Sequence, residues 1–318
     1  MDAKLKVEQL RALLHETLGP LVDNDYYLLE APYYNNIGDT LIWQGEMDFL
    51  KSVPHKCKGM FAADTFRYPE IDENAILLFQ GGGNFGDLYP WNHNFKMNVI
   101  EHYPKNKAII FPQTIWFEKH ENMLECADFL SNHLNVIICA RDAVSFDVFK
   151  KYFKNQILLL PDMAFCIDMA RWDVKEKAGK DLLLKRNDGE LQSNGYLYDL
   201  EKREDIVVSD WPTMLEEHVW QTKVLECFKY YARRFPNVLT CSVCDFVGRY
   251  WYRPFLVKTG VNMLRSHNAI YTTRLHTAIL SVLLSKEKVE FFDNSYGKNK
   301  NFYDTWLSDC DNIDIAKT

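Results

Sequence analysis

The sequence predicts an α/β protein made of two doubly wound domains facing one cleft. Three observations carry that expectation. Short apolar runs that stop at Gly or Pro alternate with helix-length segments, the pattern of a parallel sheet with right-handed crossovers. At 318 residues the chain is long for a single core. A charge-rich stretch, 169–211, carries the turn signals Asn187-Asp188-Gly189 and Asn194-Gly195 and separates two such alternations. Residues 1–165 are therefore expected to form an N-terminal Rossmann-like domain and 166–318 a C-terminal one, with 169–211 linker-like.

In chain order, an amphipathic helix over 5–18 precedes a strand, Tyr26–Ala31, ended by Pro32. The loop Tyr33–Gly38 leads into a helix over 39–50, with Leu41, Ile42, Trp43, Phe49 and Leu50 as its apolar contacts. After a weaker segment, Lys58–Phe61, comes Ile76-Leu77-Leu78-Phe79, four apolar residues in a row, read as a strand buried on both faces. A helix over 94–102 follows, then a strand over 107–111 stopped by Pro112. Next come a helix over 121–133, a strand over 136–140, a helix to 153 and a strand over 157–160. The second half offers strands at 181–184 and 206–208, a long helix over 214–234 and a strand over 237–241. A helix over 254–265, a strand over 269–272, a helix over 276–284 and a strand over 288–292 complete it.

Composition narrows the function classes. Hydrophobic residues make up 47% and charged residues 25%, which excludes a disordered chain. The net charge of -7 comes with no dense Lys/Arg run, so nucleic acid has no electrostatic footprint. Eight cysteines are scattered, several inside apolar runs, and a reducing compartment is expected. Cys241-Ser242-Val243-Cys244 is a lone C-x-x-C without a second pair, read as strand-end packing rather than a zinc or redox site. No metal-ligand spacing is visible. The charged, amphipathic N-terminus and the lack of a spanning segment point to the cytoplasm.

The chemistry candidates stand at strand ends, where open α/β sheets place their ligands. Gly81-Gly82-Gly83-Asn84-Phe85-Gly86-Asp87 follows the 76–79 strand and brings bare backbone to that position. It satisfies G-x-G-x-x-G, but Tyr89-Pro90-Trp91 delays the helix and no acidic residue stands at the expected distance, so a dinucleotide site is discounted. Asn36-Ile37-Gly38-Asp39 echoes Asn84-Phe85-Gly86-Asp87, as if two strand ends presented the same amide and carboxylate; each Asp has the alternative of being a helix cap. In Thr272-Thr273-Arg274-Leu275-His276, Thr273 is placed to cap a helix whose first turn holds Arg274 and His276, a setting suited to phosphate or carboxylate. Arg141-Asp142 repeats that logic, against the alternative of a domain-interface salt bridge. Asn294-Ser295-Tyr296-Gly297-Lys298-Asn299 suits an anion or a sugar hydroxyl, or is a polar turn. Arg249–Lys258 mixes aromatic and basic residues as interfacial segments do, or is a helix start packing on its own domain.

Taken together, Asn36–Asp39, Gly81–Asp87, Pro112-Gln113-Thr114, Ala140-Arg141-Asp142-x-x-Ser145, Pro161-Asp162, Arg274-Leu275-His276 and Tyr296–Asn299 resemble the polysaccharide pyruvyl transferase family, from about Tyr26 to Trp306. The resemblance implies a two-domain fold like that of GT-B glycosyltransferases. It implies phosphoenolpyruvate as donor, no cofactor, and as acceptor a sugar of a cell-surface glycan or its lipid-linked precursor, converted to a cyclic pyruvate ketal. In that scheme Arg141 and Arg274 clamp the donor and His276 is the general acid. Asn36, Asp39, Asn84 and Asp87 bind acceptor hydroxyls, with no choice between the two aspartates as base, and Gly82, Gly83, Tyr296 and Lys298 complete the substrate site. The rival expectations are a glycosyltransferase of the same architecture using a nucleotide-sugar donor, and a non-catalytic glycan-binding protein. An acceptor on lipid suits peripheral contact with the inner membrane face through 249–258.

Overall fold

The computed structural model describes residues 1–172, 179–192, 195–215 and 219–316. Its strands form two parallel sheets. The first runs in the order β2-β1-β3-β5-β6-β7, from β1 (Tyr26–Leu29), β2 (Cys57–Phe61), β3 (Ile76–Phe79), β5 (Ala108–Trp116), β6 (Val136–Ala140) and β7 (Gln156–Leu159). A short β4 (Gly82–Gly86) pairs with the far end of β5. The second sheet runs β12-β11-β10-β8-β9, from β8 (Asp181–Leu184), β9 (Ile206–Ser209), β10 (Ile270–Thr272), β11 (Val289–Phe291) and β12 (Ile313–Ile315).

Helices link the strands of the first sheet: α1 (Ala3–Leu18) ahead of it, then α2 (Ile37–Phe49), α3 (Pro90–His102), α4 (His120–Ser131) and α5 (Ala143–Tyr152). The second sheet carries α6 (Gly195–Glu201), α7 (Val219–Arg234), α8 (Val238–Val247), α9 (Arg253–Arg265), α10 (Leu275–Leu283) and α11 (Lys298–Trp306). This is the expected α/β architecture with Rossmann-like strand orders. In each sheet the first strand lies inside and the chain moves first one way and then the other from it. The switch falls between β1 and β3 in one sheet and between β8 and β10 in the other. Loops leaving the carboxyl ends of such neighbouring strands splay apart and leave a crevice. One hydrophobic cluster runs through both layers, including Trp43 and Phe111 from the first and Leu184, Ile279 and Leu280 from the second.

Several expectations are corrected. The 107–111 strand does not stop at Pro112. It changes partner there, pairing with β3 through Ile110 and with β4 from Gln113, so the missing N–H of Pro112 falls at the register break. The glycine block forms a second short strand, and Gly82 takes φ 130 at the step from β3 to β4. Residues 238–247 are helix, not strand. Asn237 accepts from Thr240 N at 3.0 Å while the Thr240 hydroxyl accepts from Asn237 N at 3.3 Å, a reciprocal cap that outweighs the β-branched composition. Cys241 and Cys244 are buried free thiols on its inner face, packing as expected but from a helix. The long helix expected from Met214 starts at Val219; Met214 ends a 3-10 turn, and 216–218 lie outside the described residues, as do 173–178 and the turn residue Asn194. The stretch 169–211 holds β8 and β9, the two strands expected there, with α6 between them.

Candidate active site

A cleft of about 380 Å³ lies where the two switch points meet. The first layer contributes the loop after β1 (Tyr34, Asn35, Asn36), the start of α2 (Gly38, Asp39), Gly83 and Asn84 of β4, Tyr89, Asn92, and Arg141 after β6. The second contributes Arg186, Asp188 and Glu190 after β8, Trp211 and Met214 after β9, Arg274, Leu275 and His276 after β10, and Lys298. Helices α2, α10 and α11 all present their amino ends here, so partial positive charge and free N–H groups add to four basic side chains.

Each cation is paired with a carboxylate, Asp162 and Asp210 from behind the wall and Asp188 and Glu190 on it. Arg141 is fully buried, bonds Asp162 through Nη1 at 2.8 Å and contacts the Thr114 hydroxyl through Nε and Nη2. Arg274 grips Asp210 with Nε and Nη2 at 2.5 and 2.6 Å, the bidentate geometry that fixes a guanidinium plane. Arg186 does the same with Asp188 and reaches Glu190 through Nη1 at 2.6 Å. Glu190 also accepts from Lys298 Nζ, Tyr296 OH, Asn294 Nδ2 and, across the cleft, Tyr89 OH. Burial works against the charge on Glu190, yet Lys298 and Arg186 hold its carboxyl well below the usual range. Burial lowers the Lys298 ammonium from its ordinary value, with Glu190 opposing.

His276 stands in the first turn of α10, its Nε2 3.4 Å from Asp162 Oδ2, within ion-pair range but long for a hydrogen bond. Burial opposes ionisation of Asp162, but His276, Arg141 and the Ala164 N–H keep that carboxyl well below its ordinary value. One carboxylate therefore positions both the imidazole and the guanidinium. The other side of the ring lies against Gly38, where a Cβ would come within 2.6 Å of Nδ1, so only glycine leaves room for the ring there.

Opposite stand two amides, a phenol and a carboxylate. Asn36 caps α2 through the Gly38 N–H at 2.9 Å and turns its Nδ2 to Asp39 Oδ2 at 2.8 Å. Tyr34 OH donates to the same oxygen at 2.9 Å, and burial followed by that carboxylate pushes its phenol well above the ordinary value. Asn84 is anchored from below by a buried pair: Lys96 Nζ bonds Glu30 at 2.7 Å and Asn84 Oδ1 at 2.8 Å, while Asn84 Nδ2 donates to Glu30. Glu30 holds φ 71, strained for a non-glycine residue, at the end of β1. Beneath the glycine block, burial raises the Glu46 carboxyl far above its ordinary value while its Oε1 receives the Gly81 N–H.

The structure thus gathers Asn36, Asp39, Gly83, Asn84, Arg141, Arg274, His276 and Lys298 into one cleft. Three expected residues are not on its wall. Asp87 instead receives the Glu118 and Lys119 N–H groups and Asn122 Nδ2 ahead of α4, so the Asn-x-Gly-Asp echo does not present two equivalent carboxylates. Gly82 is buried, and Tyr296 OH donates to Glu190 at 2.9 Å. Thr273 does not cap α10: Arg274 holds that position, and the Thr273 hydroxyl accepts from Arg186 N at 2.9 Å. Arg141 pairs with Asp162 rather than Asp142, which caps α5 through the Ser145 N–H. In 249–258, Tyr252, Leu256 and Val257 are buried in the core. Sequence reasoning missed Arg186, Asp188, Glu190 and Asp210; their signal was position, directly after β8 and β9. Among the described residues no group of three or more His, Cys, Asp or Glu is arranged to hold a metal ion, and no helix is long and apolar enough to cross a membrane.

Comparison with known proteins places the chain. EpsO of Bacillus subtilis (strain 168), named as a pyruvyl transferase, is 30% identical over 313 residues, covering 96% of this chain and 93% of that protein. Pyruvyl transferase 1 of Schizosaccharomyces pombe is 27% identical over 306 residues, 89% of this chain and 70% of that one. General stress protein 30 of Bacillus subtilis (strain 168) is 27% identical over 303 residues, 91% of this chain and 80% of that protein. In fold, the crystal structure of a Klebsiella pneumoniae protein of uncharacterised function superposes with a TM-score of 0.64 at 21% identity, over 97% of this chain and 99% of that one. The family described as Polysaccharide pyruvyl transferase matches residues 36–295, a span that holds every residue of the cleft except Tyr34, Asn35 and Lys298, and the chain belongs to that family.

Proposed function

We propose that this chain transfers the pyruvyl group of phosphoenolpyruvate to two hydroxyls of one sugar in a cell-surface polysaccharide or its lipid-linked precursor, releasing phosphate. The observation that carries the reading is the pairing inside one cleft of Arg141, Arg186, Arg274 and Lys298 with the polar wall of Tyr34, Asn36, Asp39 and Asn84. A donor with a carboxylate and a phosphate needs at least two cationic clamps, and an acceptor needs fixed hydroxyl partners.

One sugar hydroxyl adds to C2 of the donor as a proton enters C3, turning the methylene into a methyl group. The second hydroxyl then adds to C2, the C2–O bond to phosphate breaks, and its proton leaves with the phosphate. His276, oriented by Asp162, supplies the proton to C3. Asp39 receives the hydroxyl proton: it lines the cleft while Asp87 does not, and its bonds to Tyr34 and Asn36 both engage Oδ2. Arg141 comes from one sheet layer and Arg274 from the other, as in a GT-B-like pair of domains that close on the donor. No metal or cofactor enters the scheme.

The test is phosphate release from phosphoenolpyruvate with candidate glycan acceptors. His276→Ala is expected to lose roughly 10²- to 10⁴-fold in kcat. Near-normal turnover in that variant would remove His276 from the mechanism, and turnover with a nucleotide sugar alone would favour a glycosyltransferase.

A further inference from the structure

Away from the cleft, helix α8 carries an apolar ridge. Leu239, Val243, Phe246 and Tyr250 follow one another at helical spacing on the outer side of α8 and the π turn Gly248–Tyr252 that continues it; they are 72, 38, 63 and 57% exposed. Val238 at 85% and Phe235 at 52% extend the ridge at the α7–α8 corner. The inner side is buried at Cys241, Cys244 and Gly248, so the helix is apolar on both sides, and its outer face is exposed among the described residues. A continuous exposed strip of this kind is uncommon on a monomer and marks an interaction surface.

Charge decides its partner. Between 219 and 262 the chain carries seven Lys/Arg against two Asp/Glu, although the whole protein has net charge -7. Two of these cations flank the ridge, Arg234 lying over the Phe235 ring at 5.3 Å and Arg249 over Tyr250 at 5.1 Å, whereas Lys229 and Arg233 pair with Asp64. Apolar and aromatic side chains bordered by cations are the composition of helices that lie in the interface of an anionic bilayer. A second copy of the chain is a poorer fit, since its ridge would bring one basic rim onto another.

The ridge is also tied to the cleft. Gly248 packs so closely on Tyr33 that a Cβ would come within 2.6 Å of its ring, and Asp245 of α8 accepts from Tyr33 OH at 3.0 Å. Tyr33 precedes Tyr34 of the cleft wall. A second cavity, of about 540 Å³ and lined by Trp91, Lys229 and Arg233, shares Tyr34 and Asn92 with the cleft.

We infer that the outer face of α8, from Phe235 to Tyr250, docks this protein on an anionic lipid surface, holding the second cavity beside the membrane as the entry for an acceptor carried on lipid. The entry role rests on the pyruvyl-transfer reading; the docking does not. The experiment is co-sedimentation of the full chain with phosphatidylcholine vesicles, with and without phosphatidylglycerol. Three proteins are compared: wild type, Leu239→Ser/Phe246→Ser and Arg234→Glu/Arg249→Glu. Thermal midpoints and gel-filtration profiles run alongside establish that the variants fold and report oligomeric state. Wild type is expected to bind the phosphatidylglycerol vesicles, and each double variant to lose roughly tenfold or more in partitioning while keeping its fold. No binding by wild type, equal binding by the folded variants, or a wild-type dimer that the Leu239/Phe246 variant dissociates would each overturn it. Since vesicles contain neither donor nor acceptor, failure here leaves the pyruvyl-transfer reading standing, and failure to bind phosphoenolpyruvate leaves the docking standing.

Discussion

Asp162 shows how this cleft is built residue by residue: it faces Arg141 on one side and His276 on the other, so one carboxylate behind the wall fixes two side chains that line the cleft. Removing one partner of such a buried pair costs more than the pair contributes, which locks the constellation in place. His93 makes a separate, measurable point. Burial and then Lys96 lower its imidazole from 6.5 to about 4, and its Nδ1 faces the Gly86 N–H of the glycine block. A histidine depressed in the folded state contributes stability that is fully present above pH 6.5 and is lost as pH falls towards about 4. His93→Gln is therefore expected to flatten the acid limb of the stability curve over that window, by at most about 3 kcal/mol, in urea titrations at several pH values. Asp245, raised to about 6 mainly by burial, titrates in the opposite sense, so the wild-type-minus-variant difference is the quantity to read. Arg141, Arg274 and His276 were legible in the sequence because their types are costly to bury and they follow apolar runs. Their partners Asp162 and Asp210, and the Glu190 hub, were not recognised as such, because an acidic residue in a turn reads as solvent-facing until the opposite strand end is known.

At the scale of elements, strand ends and helix starts make the site, and most were readable from where apolar runs stop. Ile76–Phe79, Val136–Ala140 and Asp181–Leu184 are strands as their composition says. The failures have local causes. Val238-Leu239-Thr240-Cys241 has strand composition, but the Asn237–Thr240 cap starts a helix there, and capping by a Thr at the third position is a weak written signal. Pro112 reads as a stop because a proline breaks a ladder; here the ladder changes partner at that residue. The approach of α2 to α10 was invisible in sequence and is the more consequential for chemistry. Gly38→Ala is expected to push the His276 ring out of place and lower kcat by roughly 10²-fold, leaving the phosphoenolpyruvate-induced rise in thermal midpoint intact. A loss of that rise equal to the loss in kcat would place Gly38 in donor binding instead.

At the scale of the molecule, two sheets with the same reversal of strand order bring their switch points together, and each supplies cations the other lacks. The alternation of strands and helices announced both sheets; that their crevices coincide depends on a hydrophobic core shared by both layers, which no linear pattern records. On the proposed function, this shared crevice binds phosphoenolpyruvate through Arg141 and Arg274. The most direct measurement is the thermal midpoint of wild type and Arg274→Ala, each with phosphoenolpyruvate and with a panel of nucleotide sugars, against the same protein alone. A ligand held only by the folded state stabilises it by about 2.7 kcal/mol at a hundred times its Kd, enough for a rise of several degrees. That rise is expected with phosphoenolpyruvate in wild type, with its loss in Arg274→Ala and no rise with nucleotide sugars; a rise with a nucleotide sugar alone, or one that Arg274→Ala retains in full, would rule out phosphoenolpyruvate binding by this pair.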